Sequence, residues 1–182
     1  MEGLRKDAAR NRARIVDAAR EVAAQGEPLA LNAVARAAEV GVGTVYRHFA
    51  SVEELEEVLV WDRFEELGEI LRTPTGPVLE PALRAHFTLL AADEVFEKVT
   101  ARATPALPQT AAMRQDLIEE LAALLERARS AGEVHRGIDA PTVLLLMCGL
   151  AHAVRSARLS PQSAPAQELL QVVLRGLRSA GA

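Results

Sequence analysis

A group of polar side chains suited to contacting another molecule follows a glycine-containing turn near residue 41. Helical spacing predicts that the residues at positions i, i+3 and i+7 of this segment point inward, namely Val42, Val45 and Phe49. The same spacing leaves polar side chains on the outside, namely Thr44, Arg47 and His48, with Tyr46 on the flank. Thr and Arg side chains reach base edges, and Tyr and His side chains reach phosphates. The segment therefore predicts contact with nucleic acid.

Short helices must position these side chains. The first is predicted over Arg10–Gln25, where Gly26 follows as a C-terminal cap. The second is predicted over Leu31–Ala38 from an apolar stripe at helical spacing, namely Leu31, Val34, Ala35 and Ala38. The third is predicted over Val42–Phe49, and two short helices joined by a tight turn are typical of a helix-turn-helix DNA reader. The residues expected to contact DNA are Arg10, Arg14, Gly41, Val42, Gly43, Thr44, Tyr46, Arg47 and His48.

The run Gly43–Phe49 closely resembles a family signature, Gly-Thr-(Leu/Val)-Tyr-x-His-Phe. The signature is that of the TetR family of bacterial transcriptional regulators, and the resemblance is specific over about residues 10–60. Ser51 and Glu54 follow in the S-x-x-E order of a capping box, which predicts the start of a fourth helix. The resemblance implies a homodimeric repressor that binds a pseudo-palindromic operator and is released by a small-molecule effector.

Three positions depart from the family pattern. Glu39 occupies the turn position that the family usually fills with Gly, and Ala30 occupies the cap of the second helix, which is usually Ser or Thr. Val52 stands directly after the Ser51 cap, where Lys is common. Each change removes a phosphate partner or adds a negative charge. Each lost phosphate contact lowers the slope of log affinity against log salt concentration by about one unit. One alternative is therefore a dimeric small-molecule-binding protein with a weakened DNA-binding end.

Composition favours packed helices, and the helical segments predicted along the chain give an all-α fold of about nine helices. Hydrophobic residues make up 49 % of the 182 residues but aromatic residues only 3 %, so Ala and Leu dominate. Residues 1–50 hold eight basic and six acidic side chains, whereas the remainder holds 13 basic and 19 acidic ones. A basic end on an acidic body favours a DNA-binding domain over 1–50. The family resemblance implies an effector-binding and dimerisation domain over 51–182, in which 51–72 is a connecting helix that ends at the breakers of 73–77.

The C-terminal body is expected to form helices over 78–92, 94–103, 110–131, 140–159 and 166–179. By the family resemblance it is a helical cage for a small effector, whose wall candidates are the bulky or polarizable residues Trp61, Phe64, His86, Phe87, Phe96, Met113, Met147 and His152. The last two helices carry apolar stripes that a second copy could cover. The residues expected at that dimer interface are Leu146, Gly149, Leu150, Ala153, Leu170, Val173, Leu174 and Leu177.

Other classes of protein find little support. Cys148 and His152 are four residues apart and could both bind a soft metal, so a metal sensor is a second alternative, although two ligands do not make a site. No catalytic motif is found, so we expect no enzyme activity, no catalytic residue and no cofactor. The N-terminus lacks an apolar signal segment, and the longest apolar run, 143–151, is too short to span a bilayer, so a cytoplasmic protein is expected.

Overall fold

The computed structural model describes residues 2–72, 79–135 and 137–178, and this part of the chain is all-α with ten helices and no strand. The expected all-α class is confirmed, with one helix more than the expected nine. The helices are α1 (Glu2–Ala24), α2 (Leu31–Ala37), α3 (Val42–His48), α4 (Val52–Leu59), α5 (Trp61–Arg72), α6 (Leu79–Ala92), α7 (Glu94–Ala101), α8 (Pro108–Ser130), α9 (Ala140–Ser156) and α10 (Ala164–Leu177). The expected breakers at 73–77, and residues 78 and 179 of the expected helices, lie outside the described residues.

The chain divides into two compact units, Met1–Trp61 and Asp62–Ala182. The first compact unit also includes α4, which packs against α1 and lies beyond residue 50. The expected single helix over 51–72 is two helices, since α4 ends at Leu59 and α5 begins at Trp61. Val60 between them leaves the helical region at φ −115°, ψ 9°.

The first unit is held together by small and branched apolar side chains. Ile15 and Ala19 of α1, Val34 of α2, Val45 of α3 and Leu55 of α4 are all fully buried. The expected capping box forms at the start of α4, where Ser51 Oγ accepts a hydrogen bond from the Glu54 N–H at 3.3 Å. The Glu54 carboxylate in turn accepts from the Ala50 N–H at 2.7 Å, one residue before the cap.

The turn between α2 and α3 is closed by a residue in the left-handed region. Glu39 has φ 52°, and the Val40 N–H after it donates to the Ala35 carbonyl at 3.0 Å. A side chain in this conformation costs about 1–2 kcal/mol relative to the right-handed region, which is why the position favours glycine. Arg14 of α1 fastens the same turn, because its guanidinium donates to the Ala38 carbonyl at 2.7 Å.

The second unit is built around α9, which packs along α6 and against α7 and α8. Leu83 and Phe87 of α6, together with Met147 and Ala151 of α9, are fully buried. Asp139 caps α9 as expected, since its carboxylate accepts from the Thr142 N–H at 2.8 Å.

The last helix is fastened to α6 near both of its ends. Arg84 of α6 donates to the side chain of Gln167 at 2.9 Å, near the start of α10. Arg178, directly after α10, donates to the Glu80 carboxylate at 2.6 Å. The backbone of Arg178 also forms an isolated antiparallel bridge with Val134. We call these three contacts the α10 clamp.

Candidate functional site

The short helix α3 presents a polar face beside a buried apolar back. Val45 is fully buried and Phe49, directly after the helix, is 2 % exposed. Tyr46 is 53 % exposed, and Arg47, Gly41 and Gly43 are also exposed, while Thr44 and His48 are half-buried. Val42 was expected to face inward but is 42 % exposed, because the helix begins at this residue and has no preceding turn to cover it.

The arginines of α1 contact residues of their own unit. Arg10 pairs with Asp7 at 2.9 Å on the exposed surface, and Arg14 is engaged with the α2–α3 turn. The Arg12 guanidinium carbon lies 5.4 Å from the centroid of the Phe49 ring, within the range of a cation–π contact. Arg14 therefore holds the α2–α3 turn in position through its hydrogen bond to Ala38, a contact that the sequence did not suggest.

The departures from the family signature are visible in the structure. Ala30 occupies the N-cap of α2 without any side-chain hydrogen bond, and the Glu39 side chain is exposed. Val52 is half-buried at the start of α4. The first two positions thus offer phosphates either no partner or a negative charge.

A cleft of about 390 Å³ lies between α5 and α8 in the second unit. Phe64, Gly68, Met113, Leu117 and Ala123 supply its apolar wall. Its charged lining consists of Glu65, Asp116, Glu119, Glu120 and Arg72. We call this space the α5–α8 cleft.

Packing holds the walls of the α5–α8 cleft in place. Phe64 is 3 % exposed and its ring meets Phe96 edge to face, with centroids 5.1 Å apart. Arg127 of α8 donates to the Leu71 carbonyl of α5 at 3.1 Å, so the two helices are joined beyond one end of the cleft. Of the eight expected wall residues, Phe64 and Met113 line this cleft and Phe96 supports it from behind.

The other expected wall residues lie elsewhere. His86, Phe87 and Met147 are fully buried in the core of the second unit, and Trp61 is half-buried in the first unit. Both ring nitrogens of His86 lack a hydrogen-bond partner among the described residues. Burial lowers the pKa of His86 from 6.5 to about 4, so the ring is neutral at physiological pH.

Cys148 and His152 do not converge on a common site. Cys148 is 1 % exposed, and burial raises the pKa of its thiol to about 12, so the thiolate that a soft metal requires is disfavoured. The His152 side chain is 66 % exposed, with its Nδ1 3.5 Å from Glu97, which Arg155 also contacts. Within the described ranges, no group of three His, Cys, Asp or Glu side chains could hold a metal ion.

Large apolar side chains are exposed on α9 and α10. Leu145 and Leu146 of α9 are 66 % and 40 % exposed, and Leu169 and Val172 of α10 are 43 % and 64 % exposed. Gly149 and Ala153 lie on the same side of α9 and are exposed as well. These six residues form what we call the α9/α10 face.

The expected interface stripe on α10 needs correction. Leu170, Leu174 and Leu177 are at most 3 % exposed, because they pack into the core of the second unit. Val173 and, on α9, Leu150 are half-buried. The outward stripe of α10 is displaced by one position, to Leu169 and Val172.

Two family models match the chain. The model described as bacterial regulatory proteins, tetR family, matches residues 15–58, and the model described as transcriptional regulator SbtR-like, C-terminal domain, matches residues 80–179. The helix-turn-helix of the first unit and the all-α second unit define a DNA-binding transcriptional regulator. The second model covers more than half of the chain, and the chain belongs to the TetR family.

Solved structures share this fold over nearly the whole chain. Salmonella enterica GusR is 25 % identical, with 92 % of this chain and 94 % of GusR covered and a TM-score of 0.60. FadR from Bacillus subtilis in complex with stearoyl-CoA is 22 % identical, with 91 % and 99 % covered and a TM-score of 0.59. The SmeT–triclosan complex is 21 % identical, with 94 % and 93 % covered and a TM-score of 0.59. No curated protein matches the chain.

No helix in the described part of the chain combines the length and apolar character needed to cross a membrane.

Proposed function

We propose that this protein is a dimeric, ligand-responsive repressor that reads a pseudo-palindromic operator through α3. The observation that carries this proposal is the division of α3 and its C-cap into a buried back, Val45 and Phe49, and an exposed polar side, Tyr46 and Arg47. A helix of this kind enters the major groove, where Arg reads guanine and the flanking side chains reach phosphates.

The α9/α10 face supports the dimer. Four large apolar side chains project from two adjacent helices, and a second copy related by a two-fold axis would cover them with the same residues. Gly149 would let the opposing backbone approach closely, since no other atom occupies the space where a Cβ would stand. Two copies of α3 would then read half-sites about one helical turn apart, which is the basis for expecting a palindrome.

The α5–α8 cleft supports an effector site. Its volume of about 390 Å³ is of the size that holds small molecules, and it combines an apolar wall with several charged groups. FadR and SmeT, which share the fold, were solved with stearoyl-CoA and triclosan. A ligand releases the operator only if it prefers the protein conformation that binds DNA poorly, and a 100-fold loss of affinity requires about 2.7 kcal/mol of such preference.

Site selection from random duplexes with the purified protein, at near-physiological salt, tests the proposal. We expect recovery of one palindrome, and Arg47→Gln should lower the affinity for it at least tenfold. Arg20→Gln is the matched control, because Arg20 also lies in the first unit but pairs with Asp17 on the surface of α1. Recovery of no sequence, or equal effects of the two variants, would contradict the role of α3.

The same experiment separates the proposal from a dimeric binding protein that has lost its operator. Ala30 and Glu39 motivate that alternative, since neither helps to hold a phosphate. The affinity of a regulator for duplex DNA should fall steeply as the salt concentration rises, because binding displaces cations from the DNA. A flat salt dependence and no sequence preference would favour the alternative.

A further inference from the structure

We propose that the α5–α8 cleft selects a cationic amphipathic effector, with its apolar body against Phe64 and Met113 and its positive group beside the carboxylates of α8. This inference rests on the proposed function in placing the effector in this cleft. It adds the charge of the ligand, which neither the family models nor the related structures supply.

The floor of the cleft is apolar and fixed. Phe64 and Leu117 are at most 3 % exposed, and Phe64 is held edge to face by Phe96. Met113 is half-buried beside them, and its flexible thioether adapts to ligands of different shape. Gly68 adds no side chain, and the Arg72 guanidinium lies 3.5 Å from the point where a Cβ of residue 68 would stand. Phe64, Leu117 and Met113 therefore offer apolar contact to an aromatic or aliphatic ligand body.

The charges that line the cleft are strongly unbalanced. Four carboxylates belong to the lining, from Glu65, Asp116, Glu119 and Glu120. Within the described part of the chain, the one cation of the lining is Arg72, whose Nε lies 4.0 Å from the Glu120 carboxylate. Glu119 accepts a hydrogen bond from the neutral amide of Gln115 at 2.9 Å, which leaves its charge uncompensated.

This imbalance discriminates between ligands of opposite charge. A single guanidinium can neutralise one carboxylate, so the remaining three produce a negative potential across a partly enclosed apolar space. An anionic ligand is repelled on entering, and a neutral ligand gains only apolar contact. A cation gains both apolar contact and attraction to the carboxylates, and its affinity should fall with added salt because these carboxylates lie at the solvent-exposed rim.

The test uses three ligands that share one apolar body and differ in charge: 4-phenylbutylammonium, 4-phenylbutan-1-ol and 4-phenylbutanoate. Calorimetric titration of each into the purified protein, without DNA, gives the affinities directly. We expect the ammonium compound to bind at least tenfold more tightly than the carboxylate, with the alcohol between them. Equal binding of all three, tighter binding of the carboxylate, or binding of none would overturn the inference.

Paired variants locate the binding. The double variant Asp116→Asn/Glu119→Gln should lower the affinity for the ammonium compound at least fivefold and change the affinity for the alcohol less than twofold. Glu126→Gln/Glu168→Gln removes the same charge from α8 and α10 outside the cleft and should change neither ligand more than twofold. Ala123→Met, which fills the rim without changing its charge, should weaken both ligands. Ammonium binding that responds equally to the two double variants would show general attraction to an acidic body and would overturn the cleft as its site.

Operator binding is measured separately, so the two proposals fail in different ways. Loss of charge selectivity with an intact palindrome would leave the regulator and remove the cationic effector. Selective ammonium binding without any recovered operator would leave the site and remove the repressor.

Discussion

The two compact units carry their candidate sites in opposite ways. In the first unit the polar side chains of α3 stand outside a small buried core, so their role follows from the side on which they lie. In the second unit most of the bulky residues expected to line an effector site are in the core, and the cleft is bounded by acids that no motif marks. The candidate DNA-binding surface of α3 is formed by a short run of consecutive residues. The α5–α8 cleft instead depends on the spacing of two helices that are distant in sequence.

The largest effect of a single substitution is expected at the buried back of α3. Phe49→Ala removes a buried ring and the contact with Arg12, and should destabilise the first unit by about 3–5 kcal/mol. Chemical denaturation followed by circular dichroism, together with hydrogen exchange of each unit, would measure it. Tyr46→Ala is the control, since a side chain 53 % exposed should alter operator affinity and leave the free energy of unfolding nearly unchanged. Equal destabilisation by the two substitutions would contradict the division of α3.

The next effect concerns the buried histidine of the second unit. The folded pKa of His86 is about 4 against an ordinary value of 6.5, so below pH 6.5 the unfolded chain binds a proton that the folded chain does not. Stability should fall by up to about 3 kcal/mol from this group as the pH drops from 6.5 to 4, and no further below that. His86→Leu should remove this share of the decline, as measured by denaturation at stepped pH.

His152→Gln provides the contrast for that measurement, because the His152 side chain is 66 % exposed. It should retain the decline between pH 6.5 and 4. If His86→Leu also kept the full fall in stability between pH 6.5 and 4, the assignment of His86 as a buried, neutral ring would be wrong.

A third effect tests the α9/α10 face. Val172→Glu places a charge on an apolar position of α10 that is 64 % exposed and should weaken dimerisation by about 2 kcal/mol or more for each copy. Light scattering across a dilution series would show a shift toward monomer. Ala122→Glu, on an exposed position of α8 outside the α9/α10 face, should leave the mass unchanged. A stable Val172→Glu dimer would exclude this face as the interface.

The smallest effect returns to the α2–α3 turn. Asn tolerates the left-handed region better than Glu, so Glu39→Asn should stabilise the first unit by about 0.5 kcal/mol and raise operator affinity by removing a negative charge. Thermal melting and operator titration would detect the two changes. Glu27→Asn removes an exposed acid before α2, outside the α2–α3 turn, and should produce neither.

Local signals in the sequence were sufficient for most of the helices, including α3, although α1 begins at Glu2 rather than at the expected Arg10. The capping residues Ser51 and Asp139 marked two helix starts correctly because capping depends on neighbours within one turn. The break at Val60 was missed, since the sequence carries no glycine or proline there. The inward direction of Leu170, Leu174 and Leu177 was also missed, because an apolar stripe does not state whether its partner is the same chain or another copy.

The cleft was harder to foresee. Phe64 and Met113 were expected because they are bulky or polarizable and the family resemblance implies an effector cage. The acids of α8 were not expected, because an exposed carboxylate on a helix is ordinary until its neighbours are known. The role of Arg14 was hidden for the same reason, since its acceptor is a backbone carbonyl 24 residues away.

The α10 clamp reduces the conformational entropy that α10 would lose when a partner binds to it. The helix is fixed near both ends by Arg84, Arg178 and the bridge to Val134, so Leu169 and Val172 are held at a constant register on the surface. A partner that meets a preorganised helix does not have to order it, and less conformational entropy is lost on contact. Loosening the clamp would then weaken a dimer through entropy, without altering any residue that touches the partner.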